Sequence, residues 1–306
     1  MKGKILIATS SFGKLSRDPI DKLIKNGFEV VNNPYGRKLS VQELNELLKG
    51  AVGIIAGLED LNRDVLKGSS LKVISRCGAG VSNVDLDAAK EMNIEVRNTP
   101  DAPTQSVAEL TLGLILSLLR HVVVSDKDVR EGKWAKRMGT LLHGKKLGII
   151  GLGRIGKRVA ELIAPFKLHI LACDLKPDNK FAKSLNIKIV PFEELIKEAD
   201  IISIHASCSE CLIGRDDFSK MKEGVFIMNV SRGSVMDENA LVQELKKGRI
   251  GGAALDVFSK EPYAGELTAF ENVILTPHIG SYAKEGRIKM ENQAVDNLIR
   301  AMKELK

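Results

Sequence analysis

The chain has 306 residues, 44% hydrophobic and 28% charged, which is enough apolar material for two ordinary packed domains. Aromatic residues make up only 4%, so the core must be aliphatic. The net charge of +7 (pI ≈ 9.1) is scattered and not interleaved with aromatics, which argues against nucleic acid and suits small anionic ligands.

Met1-Lys2-Gly3-Lys4 leads into an apolar run too short for a signal-peptide core. Strand-like runs at 5–8, 29–32, 53–56, 71–76 and 94–96 alternate with helical patterns at 20–26, 41–49 and 84–91. That alternation predicts a parallel α/β domain. The fourth run enters Gly78-Ala79-Gly80-Val81-Ser82-Asn83, with Asn83 where a third glycine would stand. This loop reads as backbone N–H groups facing a small anion, not as a second cofactor turn.

Asn98-Thr99-Pro100-Asp101-Ala102-Pro103 is a loop by composition. Ser106 and Glu109 then form a capping-box pattern for a helix over 107–119. This helix is apolar almost all round, so it must be buried on several faces, between domains or in a dimer interface. The apolar stretch 107–124 is broken by Glu109 and Arg120 and does not read as a membrane span. With no targeting segment, a cytoplasmic protein is expected.

A second α/β domain begins at Lys146, with strands near 147–150, 170–174, 187–190, 201–205, 225–230, 253–257 and 273–275. Its first strand runs into Gly151-Leu152-Gly153-Arg154-Ile155-Gly156 and then into a helix whose Ile155, Val159 and Ile163 share one face. Gly151 makes the tight turn, Gly153 admits a pyrophosphate, and Gly156 lets the helix pack on the strand. The helix N-terminus offers unpaired N–H groups to the phosphates. Asp174, closing the next strand, accepts both ribose hydroxyls and repels a 2′-phosphate, so the expected cofactor is NAD. The C-terminal stretch from about Ala283 is helical, with Ile288, Ala294, Val295, Leu298 and Met302 as core positions.

Cys77 and Cys173 read as small core residues, and Cys208 and Cys211 form a lone C-S-E-C without further ligands, so no metal site is expected. Chemistry in a doubly wound sheet sits beyond the C-terminal strand ends. There the later strands deliver Ser231-Arg232-Gly233, then Asp256-Val257-Phe258-Ser259-Lys260-Glu261, then Thr276-Pro277-His278-Ile279-Gly280. Hydride exchange with a hydroxy acid needs these types. A guanidinium holds the carboxylate, and an imidazole gives or takes the hydroxyl proton. A carboxylate beside that imidazole orients it and favours its protonated form. His121, His143 and His169 have no partner pattern, whereas His205 ends a strand of the same sheet and competes with His278.

These segments, in this order, resemble the NAD-dependent D-isomer-specific 2-hydroxyacid dehydrogenases over essentially the whole chain. Further matches are Cys77-Gly78-Ala79-Gly80 with Asn83-Val84-Asp85, Asn98-Thr99-Pro100, Ser106-Val107-Ala108-Glu109-Leu110 and Ala254-Leu255-Asp256-Val257-Phe258. The resemblance implies two doubly wound parallel-sheet domains, a flavodoxin-like substrate domain (1–99 with 285–306) and a Rossmann NAD-binding domain (100–284), with the active site in the cleft between them. It implies Arg232, Glu261 and His278 as the catalytic set, and Gly78, Ala79, Gly80 and Arg232 at the substrate carboxylate. Arg154 and Ile155 would lie at the pyrophosphate and Asp256 near the nicotinamide amide, with Val230, Ser231 and Gly280 also lining the cofactor. A homodimer is usual, with the helix from Val107 a fitting interface.

Within the family the pattern is nearest to the members that oxidise 3-phosphoglycerate, which implies that substrate; Arg76 and Arg97, at strand ends of the first domain, are candidate phosphate cations or, equally, surface ion-pair partners. Three departures stand out. The chain ends at Lys306, without the regulatory extension of some members. The loop 206–211 looks short. Gly57-Leu58-Glu59 stands where phosphoglycerate enzymes carry arginines, and an acid there does not favour a phosphate. The alternatives are a glyoxylate or hydroxypyruvate reductase and, from another class, an NAD-responsive binding protein.

Overall fold

A computed structural model describes residues 2–206, 208 and 210–305. The chain divides into two units, Met1–Pro103 with Ser281–Lys306, and Thr104–Gly280.

The first unit runs β1 (Lys4–Ile7), α1 (Asp18–Lys25), β2 (Glu29–Asn32), α2 (Val41–Leu48), β3 (Ala51–Ala56), α3 (Arg63–Lys67), β4 (Val73–Arg76), α4 (Leu86–Glu91) and β5 (Glu95–Arg97). All its strand pairs are parallel, in the order β2-β1-β3-β4-β5. This is the flavodoxin-type order. The pleat sends Leu6, Ile54 and Ile74 to one face, against Leu44, Leu48, Val65 and Leu66. Ile5, Ile7, Ile55 and Val73 go to the other, against Leu23, Met290, Ala294 and Leu298. Burial on both faces is what a parallel sheet requires. Ser40 caps α2 with a full capping box to Glu43, a device that contributes about 1 kcal/mol.

The second unit begins with α5 (Thr104–Leu119) and α6 (Val122–Arg130). Alternating elements follow: β6 (Lys146–Ile150), α7 (Arg154–Ile163), β7 (His169–Cys173), α8 (Asn179–Ser184), β8 (Lys188–Ile189), α9 (Phe192–Glu198), β9 (Ile201–Ile204), α10 (Arg215–Lys220), β10 (Val225–Asn229), α11 (Glu238–Lys246), β11 (Ile250–Leu255) and β12 (Val273–Leu275). Its parallel sheet has the order β12-β11-β10-β9-β6-β7-β8, the Rossmann arrangement with a seventh strand. The last helix, α12 (Lys284–Glu304), returns the chain to the first unit.

The structure corrects two local expectations. Helix α5 starts at Thr104, so Ser106 lies within it as a buried residue, and Glu109 bonds to the Gln105 side chain instead of closing a capping box. Val107, Leu114, Ile115, Leu118 and Leu119 of α5 pack into the core of their own unit, as an all-round apolar helix requires, while Leu110, Leu112 and Leu116 are half-buried. On α12, Ala294, Val295 and Leu298 are buried as expected, Ile288 and Met302 are only half-buried, and Arg287 and Glu291 are buried as an ion pair at 3.1 Å. Arg287 also donates to Ser11 Oγ, and Glu291 accepts the N–H of Gly13, so the pair fastens the loop after β1. No single described helix is long and apolar enough to cross a membrane, and α5 and α6 bend by 63° at their join.

Candidate active site

At the exit of β6, Gly151 adopts φ +92° and donates its N–H to the Cys173 carbonyl at 2.9 Å. A Cβ there would lie 2.6 Å from the Ala206 nitrogen. A Cβ on Gly156 would run into the Gly151 carbonyl. Around Gly153 the space is open, and as N-cap of α7 it brings no capping side chain. Among the described residues the N–H groups of Ile155 and Gly156, in the first turn of α7, make no hydrogen bond, which suits an anion. Arg154 heads the helix and Ile155 is half-buried on it. Asp174 follows β7, accepting Leu152 N–H at 2.7 Å and Lys176 N–H at 2.8 Å. Each carboxylate oxygen keeps another lone pair, so the same group can still accept ribose hydroxyls. These residues fit a dinucleotide.

His278 follows β12 with φ +54°, a conformation a non-glycine residue holds only when its surroundings fix it. Its Nδ1 pairs with Glu261 Oε2 at 2.9 Å, and both side chains remain about one-third exposed, at 36% and 33%. Glu261 Oε1 accepts the Phe258 N–H at 3.1 Å, so the carboxylate is itself oriented. The pairing leaves Nε2 of His278 as the ring atom available for proton exchange.

Arg232 follows β10, and its guanidinium donates to the Ser231 carbonyl at 2.6 Å. Among the described residues no carboxylate pairs with it. Val230, two residues before it, is buried, and Gly233, just after, passes so close to the Phe258 carbonyl that no Cβ would fit.

Two buried side chains that sequence reasoning had not placed in these roles hold this apparatus. Asn229, 1% exposed, accepts from Ser231 N–H at 3.1 Å and Ser231 Oγ at 2.9 Å, and donates to the Arg232 carbonyl at 2.8 Å. Asp256, also 1% exposed, binds the Thr276 hydroxyl and the N–H groups of Ile279 and Gly280. Asn229 ends an apolar strand, and a lone polar residue there was the available signal.

His205 is a different kind of residue. Its Nε2 lies 2.8 Å from Ser203 Oγ, and burial of the ring pushes its pKa down to about 4. It stays neutral near pH 7 and is not a proton donor there. Cys211 bonds through its thiol to the Ile213 carbonyl, and burial pushes that thiol up. Cys208 bonds to the Glu210 carbonyl at 3.6 Å, while Ser207 and Ser209 of this loop lie outside the described residues. No group of three or more metal-ligating side chains occurs among the described residues.

In the first unit, the loop after β4 has Gly78 at φ +152°, where a Cβ would strike the Arg76 guanidinium. The N–H groups of Ala79 and Gly80 make no hydrogen bond among the described residues. Arg76 thus lies against this loop and donates to the Cys77 carbonyl at 2.5 Å. Arg97, the other candidate phosphate cation, is engaged elsewhere. It pairs with Glu95 at 2.7 Å and Glu304 at 2.8 Å. Glu59 is buried and accepts the Gly57 N–H at 2.6 Å, so an acid closes the loop after β3.

Residues 112–280 match the family model "D-isomer specific 2-hydroxyacid dehydrogenase, NAD binding domain". The chain belongs to the D-isomer specific 2-hydroxyacid dehydrogenase family. It is 36% identical to a hydroxypyruvate reductase of Thermotoga maritima, over 93% of this chain and 96% of that one. It is 34% identical to a D-3-phosphoglycerate dehydrogenase of Archaeoglobus fulgidus, over 99% of this chain but only 58% of that longer one. Among solved structures, a glyoxylate reductase from Paecilomyes thermophila superposes with a TM-score of 0.89 at 27% identity, covering 99% of this chain and 96% of that one. The second unit is thus the NAD-binding domain of this family, and NAD is its cofactor.

Proposed function

We propose that the protein is an NAD-dependent oxidoreductase that interconverts a small 2-oxo acid and its D-2-hydroxy acid. The observation that carries this reading is the Glu261–His278 pair at 2.9 Å, held at the exit of the same sheet that forms the dinucleotide cradle. NAD, when bound, supplies or accepts the hydride. Gly151, Gly153, Arg154, Ile155, Gly156 and Asp174 hold it, with Val230, Ser231, Asp256 and Gly280 at the strand exits beside it. Arg232 receives the substrate carboxylate and polarises the oxo group through its planar fork. The N–H groups of Ala79 and Gly80 take a share of the same carboxylate, and Gly78 gives the loop its shape. In reduction, protonated His278 delivers the proton from Nε2 to the substrate oxygen; in oxidation it takes that proton back. Glu261 keeps the ring oriented through both directions.

The substrate we favour is unphosphorylated, hydroxypyruvate or glyoxylate. Arg97 is tied to two carboxylates, and Glu59 stands in the loop after β3 where a phosphate would meet a negative charge. A relative matched over 96% of its own length is a hydroxypyruvate reductase, and another matched over 88% is a glyoxylate reductase. 3-Phosphoglycerate is the second reading, and Arg76 beside the 78–80 loop is the observation in its favour. Comparison of kcat/KM for hydroxypyruvate and glyoxylate with NADH, and for 3-phosphoglycerate with NAD, decides between them. A dominant value for the phosphorylated acid would reverse this choice.

A homodimer is part of the same reading, on a surface that includes α6. Val122, Val123 and Val129 of α6 are more than half exposed, and beyond that helix Trp134 is 84% and Met138 93% exposed. Apolar side chains concentrated in one stretch of chain mark an interaction surface. Light scattering of the wild type and of Trp134→Glu tests it.

A further inference from the structure

The 78–80 loop owes its aim to the residues that follow β5. A peptide unit is planar and trans, so its C=O and N–H point in opposite directions. Whatever holds one carbonyl therefore aims the N–H of the next residue the other way. The Gly78 carbonyl accepts the Thr99 N–H at 3.0 Å, which fixes the peptide that carries the Ala79 N–H. The Ala79 carbonyl accepts Asn98 Nδ2 at 2.6 Å, which fixes the peptide that carries the Gly80 N–H. Two successive peptide units are thus clamped from behind, and the two N–H groups left without a partner are the ones aimed away from the clamp.

The clamp is itself held. Thr99 is fully buried and its hydroxyl accepts the Gly78 N–H at 2.8 Å. The Asn98 carbonyl accepts Asn297 Nδ2, from α12, at 2.8 Å. One turn earlier on α12, the Ala294 carbonyl accepts Ser75 Oγ of β4 at 2.7 Å. The final helix therefore grips both the strand that leads into the loop and the residue that orients it.

We propose that Asn98 is a positioning residue that aims the Gly80 N–H at the substrate carboxylate, and that Asn297 holds Asn98 for this task. This rests on the reading that the 78–80 loop receives the carboxylate. An amide hydrogen bond contributes about 0.5–1.5 kcal/mol net, so its loss should weaken carboxylate binding by roughly twofold to tenfold. The loss falls equally on ground and transition states, so KM should rise while kcat holds.

The test uses the full chain with NADH. KM and kcat for the better of hydroxypyruvate and glyoxylate are measured, with the calorimetric Kd of oxalate, a substrate-like dianion. The variants are Asn98→Ala, Asn98→Asp and Asn297→Ala, and the wild type is crystallised with NADH and oxalate. Asn98→Ala should raise KM and the oxalate Kd by about fivefold, with kcat within twofold and NADH affinity unchanged. Asn98→Asp should be worse, because a carboxylate would face the Ala79 carbonyl. Asn297→Ala, on the helix and milder for folding, should raise KM about twofold. Oxalate seated on the Ala79 and Gly80 N–H groups, with KM unchanged in Asn98→Ala, overturns the inference alone. So does a fall in kcat and NADH affinity that matches the rise in KM, which marks general damage. Oxalate bound away from the loop overturns both the inference and the reading beneath it.

Discussion

Asp256 holds His278 in place without touching it. Its carboxylate takes the N–H groups of Ile279 at 2.7 Å and Gly280 at 2.8 Å, and the Thr276 hydroxyl at 2.6 Å, so the turn is pinned on both sides of the histidine. That is how a residue at φ +54° is kept there. Asp256→Asn can accept through only one oxygen, so it should lose either the Gly280 N–H or the Ile279 N–H. The expected result is a fall in kcat of about tenfold or more, since a small misplacement of the proton donor is costly. Hydrogen bonds to a charged group contribute about 1.5–3 kcal/mol, so the thermal midpoint should fall as well. Steady-state kinetics with a thermal melt checks both.

Replacing the proton donor separates chemistry from binding. His278→Asn should lower kcat by about 10²–10⁴-fold, the usual range for a general acid–base group. NADH affinity should stay within a few fold, because the cradle at Gly151, Gly153 and Asp174 is untouched. Fluorescence titration of NADH beside turnover measures the two. A variant that keeps its turnover would remove His278 from the mechanism.

Arg232→Lys keeps the charge and removes the fork. Bidentate geometry is lost, so kcat/KM should drop by about 10²-fold or more at an unchanged NADH affinity. Asn229→Ala should reproduce a milder form of the same defect. It frees Ser231 and the Arg232 carbonyl from their clamp.

Cofactor choice follows Asp174. NAD should be preferred over NADP by the wild type, and Asp174→Ala should narrow the gap chiefly by losing affinity for NAD. Its bonds to Leu152 and Lys176 also order the turn, so some loss with both cofactors is expected. Comparable kcat/KM for NAD and NADP in the unmodified protein would contradict the assignment.

His205 makes stability depend on acid. Its folded pKa is depressed to about 4, whereas an unfolded histidine titrates near 6.5. Below about pH 6.5 the unfolded chain binds the extra proton, and the folded state resists it until about pH 4. The stability from this group is thus complete above pH 6.5 and lost as pH falls through that window. Between pH 7 and 5 the wild type should lose about 2 kcal/mol relative to His205→Gln, which has no such proton to bind. Thermal midpoints of the two proteins at both pH values check the difference.

Both sheets were legible because parallel strands buried on two faces leave unbroken apolar runs between helical patterns. The tight turns of the cradle glycines and the Glu261–His278 pairing were legible because a strand-to-helix turn demands glycine and a strand-exit imidazole calls for a carboxylate partner. What the pattern hid was support. Asn229 and Asp256 look like ordinary polar strand ends until their hydrogen bonds are seen. Arg287 and Glu291, one turn apart, were not legible as a buried pair because a buried ion pair and an exposed one have the same spacing. Ser106 and Glu109 matched a capping box, but Thr104 and Gln105 extend the helix one turn further. Arg97 looked free for a phosphate, since Glu304 lies far along the chain.

The return of α12 to the first unit bears on how the protein is made. Ile5, Ile7, Ile55 and Val73 on one face of that sheet pack against Met290, Ala294, Val295 and Leu298. On the ribosome these strands emerge well before their covering helix. The second unit, continuous from Thr104 to Gly280, has all its residues available earlier. Domains usually complete in order of emergence, and here the order is inverted. The nascent first unit waits with an aliphatic sheet face open for most of translation, a period in which a chaperone has a reason to bind it.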